Sequence, residues 1–145
     1  MTDPTRPPLR LLIQDAEDLD VLSALFQDAL VRHGDMAYEA KARRFALVAS
    51  RFVWEGDGAR QRIRTGLHFN HVMKVQHQGL DLRKPDTVAE LLALRGEEGA
   101  DGATIRLDFA GGGSIRLEAE CIDAEAHDLG ATWPARHAPD HSQAE

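Results

Sequence analysis

The chain has 145 residues, is 43% hydrophobic and 28% charged, and carries a formal net charge of −7. That length suits one domain with its own core, and that composition excludes an unfolded polar chain. The negative charge argues against non-specific attraction to nucleic acid or anionic membranes. The single cysteine, Cys121, rules out an intrachain disulfide and gives no sign of an oxidising compartment.

Residues 1–8 include Pro4, Pro7 and Pro8 with no apolar run, so they read as a flexible arm rather than a signal peptide. Leu9 to Ile13 reads as a strand. Asp15 then suits a helix N-cap, Glu17 and Asp18 suit the first turn, and Leu19, Leu22, Leu25 or Phe26, and Ala29 recur at helical spacing, which predicts a helix over about 16–27. Ala29–His33 and Met36–Glu39 flank Gly34-Asp35 and predict two strands about a turn. Arg44–Trp54 is a long strand. Phe45 and Leu47 share one parity but Val48, Phe52 and Trp54 share the other, which predicts a bulge or burial on both faces.

Gly56-Asp57-Gly58 reads as a turn, and Arg62–Gln78 as one long strand bent at Gly66. Residues 87–96 have helix-forming composition after Pro85 and predict a short helical turn followed by a strand, with a strand throughout as the alternative. Ile105, Leu107 and Phe109, then Ile115, Leu117, Ala119 and Cys121, alternate with charged residues about Gly111-Gly112-Gly113. This predicts a β-hairpin with one buried face, and places Cys121 in the core. Residues 134–145, with Pro134 and Pro139, read as a disordered tail. The expectation is a single globular domain over 9–133 of α+β class, mostly β. Its antiparallel sheet of about 7–8 strands is curled into a partial barrel or sandwich, with the N-terminal helix packed on it.

Few patterns point to chemistry. The glycine triplet runs strand to strand, whereas phosphate-binding loops run into a helix N-terminus, so it reads as a turn. His68 and His71 are three apart and point to opposite faces of a strand, so they cannot jointly chelate a metal on a regular strand. His71 and His77 share parity with Phe69, Met73 and Val75 and read as half-buried. No nucleophile–base–acid set, Walker sequence, His-Glu-x-x-His or Cys-x-x-Cys is present. No catalytic residue, metal or cofactor is therefore assigned.

Charge, however, is segregated. Residues 40–77 hold Lys41, Arg43, Arg44, Arg51, Arg60, Arg62, Arg64 and Lys74 against Glu55 and Asp57, a balance of +6, while 1–39 balance at −5 and 78–145 at −8. Phe45, Phe52, Trp54 and Phe69 are interleaved with these cations. One reading pairs the arginines with acids on neighbouring strands, Glu118 and Glu120 for example. The other makes the ribbon an anion-binding face for an acidic protein, RNA or a phosphorylated metabolite.

Several strings in order, Asp15-Ala16-Glu17-Asp18-Leu19, Gln27-Asp28-Ala29, Arg43-Arg44-Phe45-Ala46-Leu47, Arg51-Phe52-Val53-Trp54-Glu55, Phe109-Ala110-Gly111-Gly112-Gly113, Ile115-Arg116-Leu117-Glu118, Glu120-Cys121-Ile122 and Asp128-Leu129-Gly130 with Trp133, resemble an alphaproteobacterial family catalogued as domain of unknown function 2948. The resemblance covers about residues 9–133 and implies a stand-alone bacterial cytosolic domain, with no catalytic residue or cofactor to carry over. Ser50 stands where the family pattern tends to have Asn before Arg-Phe.

The leading functional expectation is a non-catalytic binding or assembly module of the cytoplasm. Its contacts are Arg43, Arg44, Arg51, Trp54, Arg62, Arg64 and His71, and its partner is a protein or an anionic ligand. Nucleic acid is disfavoured by net charge, no membrane is involved, and homo-oligomerisation is left open. The alternative is a small-molecule-binding protein or enzyme with a pocket in the sheet's curl near His71 and His77.

Overall fold

The computed structural model of the chain describes residues 8–54 and 60–134. Apart from Pro8 and Pro134, the expected arm and tail lie outside these residues, as does the Gly56-Asp57-Gly58 turn. The elements are β1 (Arg10–Ile13), α1 (Ala16–Phe26), β2 (Leu30–Glu39), β3 (Arg44–Trp54), β4 (Arg60–Phe69), β5 (Val72–Gln78), β6 (Val88–Gly99), β7 (Gly102–Phe109), β8 (Ser114–Ala119) and β9 (Ala124–Pro134).

The strands form one antiparallel sheet in the order β1-β9-β4-β3-β2-β6-β7-β8-β5. Among the described residues the fold is mostly β with one helix, as expected, but the sheet has nine strands and is not closed, so β1 and β5 are its edges. The sheet turns over where β2 meets β6. Only Leu30–Arg32 pair there with Val88–Glu90, while on its other edge β2 pairs with β3 through Leu30, Val31 and Met36–Glu39. The halves β1-β9-β4-β3 and β6-β7-β8-β5 thus present their apolar parities to a common core containing Leu47, Leu67, Phe69, Ala126, Leu94, Ile105, Leu107 and Leu117. Helix α1 packs chiefly on β6 and also reaches β1 and β3, which joins the halves.

The helix starts as its sequence dictates. Asp15 Oδ1 accepts the Asp18 amide at 2.8 Å, and Asp18 Oδ2 accepts the Gln14 amide at 2.9 Å, a reciprocal cap. Leu19, Leu22 and Phe26 are fully buried. Gly96 admits the helix: a Cβ there would lie 2.6 Å from Leu19 Cδ2 and 3.1 Å from Ile122 Cδ1.

Several local expectations are corrected. Gly34-Asp35 makes no turn, and residues 30–39 form one strand with a register shift between Val31 and Met36. The Pro85–Thr87 segment takes up its free edge, where the His33 amide donates to Thr87 and the Gly34 amide to Pro85, each at 2.8 Å. The expected long strand Arg62–Gln78 breaks at Asn70-His71, with His71 in the left-handed region at φ 60°, and β4 and β5 then part to distant positions in the sheet. Residues 88–99 are strand throughout. Ala89, Leu91 and Leu94 face the core across a register shift between Leu91 and Ala93, and tertiary pairing overrides their helix-forming composition. β3 has no bulge: Phe45, Leu47, Ala49, Arg51 and Val53 point inward and pair in unbroken register with β4. Cys121 is exposed, because β8 ends at Ala119 and the thiol falls in the turn to β9. The glycine triplet is a hairpin turn, with Gly111 and Gly112 at φ 88° and 96°. Among the described residues no helix is long and apolar enough to cross a membrane.

Candidate functional site

Alternation along β3 and β4 divides the basic ribbon between two faces. Inward-facing Arg51 is buried among core residues. Its Nη2 donates to Asp128 Oδ1 at 2.9 Å and Oδ2 at 3.1 Å, and its Nε donates to the Thr65 hydroxyl at 2.9 Å. Thr65 Oγ1 donates to Asp128 Oδ1 at 2.8 Å, and the Leu9 amide donates to Oδ2 at 2.7 Å. Arg51 is therefore a structural cation that ties β3, β4, β9 and the chain before β1 together, and it does not reach a partner.

Arg44, Arg62 and Arg64 take the outer parity, on a face that β1, β9, β4 and β3 build together. Arg62 lies over the Phe52 ring with its guanidinium carbon 4.0 Å from the centroid, and Nη1 donates to the Ser50 carbonyl at 2.9 Å and hydroxyl at 2.8 Å. Position 50, where the family pattern tends to Asn, thus holds an arginine of this face. Arg64 is exposed. Arg44 donates through Nε to Asn70 Oδ1 at 3.3 Å and sits opposite Glu39 of β2. Between the cations lie Ala46, Val48 and Gly66, and at the margins Leu12 and Leu129 are 56% and 37% exposed.

Two histidines complete the surface. The rings of His68 and His127 stand edge to face with centroids 6.5 Å apart, and His127 Nδ1 is buried with no hydrogen-bond partner among the described residues. A Cβ at Gly66 would meet His127 and Leu129 at ordinary contact, 3.5–3.6 Å, so the glycine leaves a shallow depression beside the imidazole. Desolvation first, then the Arg44 charge, holds the His68 imidazole below its ordinary value; His127 pushes the same way, and Glu125 and Asp123 oppose them. Among the described residues of these four strands the face carries one acid, Glu125, which Arg10 holds at 3.0 Å.

The remaining predicted residues are elsewhere. Arg43, at φ 53° in the β2–β3 turn, lies 3.8 Å from Glu120, an acid the sequence reading named as an arginine partner. His71 is half-exposed in the β4–β5 turn, with Nε2 3.1 Å from Asp123 Oδ2 and Nδ1 3.9 Å from Glu120 Oε1. His77 is exposed on edge strand β5, so the two histidines do not share a pocket, and the curl is filled by the core. Trp54 ends β3, and its side chain lies outside the described residues. The structure therefore brings Arg62 and Arg64 together at the Ser50–Phe52 end of the ladder, leaves Arg44 on the same face at its other end beside Asn70 and Glu39, and separates Arg43, Arg51 and His71 from both. Sequence reasoning missed Asp128, Thr65, His127, Leu12 and Leu129 as site residues, and only the alternation of β9, β4 and β1 could have pointed to them.

Chemistry is sparse elsewhere. His71, Asp123 and Cys121 are the residue types of a thiol triad. Yet desolvation, then Asp123, Glu120 and Glu98, pushes the Cys121 thiol up, the reverse of what a nucleophile needs. No group of three or more His, Cys, Asp or Glu among the described residues is placed to hold a metal ion.

The fold and this face define a β-rich domain with a basic outer surface on one half of its sheet. The family described as protein of unknown function, DUF2948, matches residues 9–141, and the chain belongs to it. Comparisons with curated proteins and with solved structures found no match.

Proposed function

We propose that this chain is a non-catalytic binding or assembly module of the bacterial cytoplasm that takes an acidic protein on the open face of β1-β9-β4-β3. The observation that carries the reading is the placement of Arg62 and of the exposed Arg64 two residues apart on the outer parity of β4. The apolar margin at Leu12 and Leu129 suits a protein partner, because desolvated apolar contacts supply affinity while the cations supply steering and register. A chain of net charge −7 is poorly matched to a nucleic-acid polyanion. The exposed Cys121, which no other cysteine of this chain can pair, suits a reducing compartment.

The test is affinity purification of the full chain and of its Arg62→Glu/Arg64→Glu variant from native cells. The variant is expected to lose the dominant acidic partner while keeping its circular-dichroism spectrum and cooperative unfolding. Retention of that partner by the folded variant contradicts the reading.

A further inference from the structure

A second arginine cluster stands on the other half of the sheet. Strand register places Arg95 of β6 directly opposite Arg106 of β7, and Arg106 directly opposite Arg116 of β8. Directly opposed residues share a face, and all three are exposed, so three guanidinium groups stand in one row across three strands. Neighbouring strands are about 5 Å apart, so the row is about 10 Å long. Gln76 of β5 extends it, opposite Arg116.

Like charges placed directly opposite one another destabilise a sheet. Arg106 has Asp108 Oδ1 at 3.0 Å, whereas Arg95 and Arg116 make no ion pair among the described residues. The rows alongside contain, on one side, Glu97, Thr104, Glu118 and Lys74, and on the other Ala93, Asp108, Ser114 and Gln78. The cations are thus concentrated in a single line, bordered by acids and hydroxyls. Local violations of sheet energetics mark places where function outweighs stability.

We infer that the Arg95-Arg106-Arg116 row is an anion site for a short, linear oligophosphate group, free or carried by a small metabolite. Guanidinium forks match phosphate oxygens in geometry and charge, and a ligand lying along the row can engage all three. The length of the row and its acidic borders favour a compact anion of a few charges. An extended polyanion such as RNA would have to cross Glu97, Glu118 and Asp108 on a chain of net charge −7. The ligand neutralises the mutual repulsion of the arginines, so binding and stabilisation come together. This site is separate from the β1-β9-β4-β3 face and does not depend on the proposal made for it.

The experiment is thermal unfolding of the full chain with tripolyphosphate, against sodium chloride at matched ionic strength. The wild-type midpoint is expected to rise saturably, by roughly 5–10 °C when the probe is about a hundredfold above its Kd. Arg95→Gln/Arg116→Gln is expected to lose that rise while its midpoint without ligand stays equal to or above wild type, since repulsion has been removed. Arg62→Glu/Arg64→Glu is expected to keep the rise in full, which separates failure of this site from failure of the other face. The inference is overturned if Arg95→Gln/Arg116→Gln keeps the rise, or if that variant is destabilised without ligand, which would make the arginines structural pairs. It is also overturned if wild type shows no rise, or if single-stranded RNA competes through the same three residues more tightly than tripolyphosphate binds.

Discussion

Arg51 of β3 and Asp128 of β9 lie 77 residues apart in sequence and meet as a buried, two-pronged ion pair with Nη2 2.9 Å from Oδ1. Their side chains are 5% and 2% exposed. Asp128 also accepts the Thr65 hydroxyl and the Leu9 amide, so one carboxylate gathers four segments of the chain. This pair removes Arg51 from the basic surface and ties together the strands whose parity puts Arg62 and Arg64 on the outer face.

Removing one partner leaves the other charge buried and uncompensated. Asp128→Ala should therefore lower unfolding free energy by about 3–5 kcal/mol, read by urea titration. Replacing both partners, as Arg51→Met/Asp128→Leu, should cost less than the single change, because no orphan charge remains. A single change that leaves the midpoint in place would show the pair to be energetically idle.

Gly96 is the passage through which α1 docks on β6. Gly96→Ala should cost about 1–3 kcal/mol by overpacking, because Leu19 and Ile122 are buried at 0% and 2% exposure and have little room to yield. The measurement is chemical denaturation with fluorescence and far-UV detection. Equal or greater stability would mean that the helix rides higher on the sheet than described.

His68 should titrate below 6.5, its ordinary value, in an NMR pH series. The folded pKa lies below the unfolded one, so from about pH 6.5 downward the unfolded chain takes up the proton first and the fold loses stability until the folded pKa is reached. Above both values the group contributes nothing to the slope. Arg44→Gln should raise the midpoint and Glu125→Gln should lower it further, in line with the charges each removes. A His68 midpoint at or above 6.5 contradicts this environment.

The sequence made the β-rich class, the capped helix and the glycine hairpin legible, because each rests on local rules: Asp15 before the apolar period of α1, and strict alternation about Gly111–Gly113. It also located the basic segment. It could not divide that segment, since whether Arg51 or Arg62 faces the core depends on strand parity, and the outward Val48 and Phe52 masked that parity by being as apolar as the inward Leu47 and Val53. Nor could it foresee that β4 and β5 part company at His71, because alternation runs on across the turn. The arginine row was hidden for a different reason. Arg95, Arg106 and Arg116 are ordinary solvent-side residues one at a time, and only pairing register makes them neighbours.

The central claim, that the open face of β1-β9-β4-β3 receives the partner, is tested most directly by site-specific photocrosslinking in cells. A benzophenone amino acid replaces Leu12 or Leu129 on that face, and Arg116 on the opposite half as control. The same acidic protein should be captured from Leu12 and Leu129 and not from position 116. Capture from position 116 alone, or no adduct from either margin residue while the partner still co-purifies, would contradict the claim.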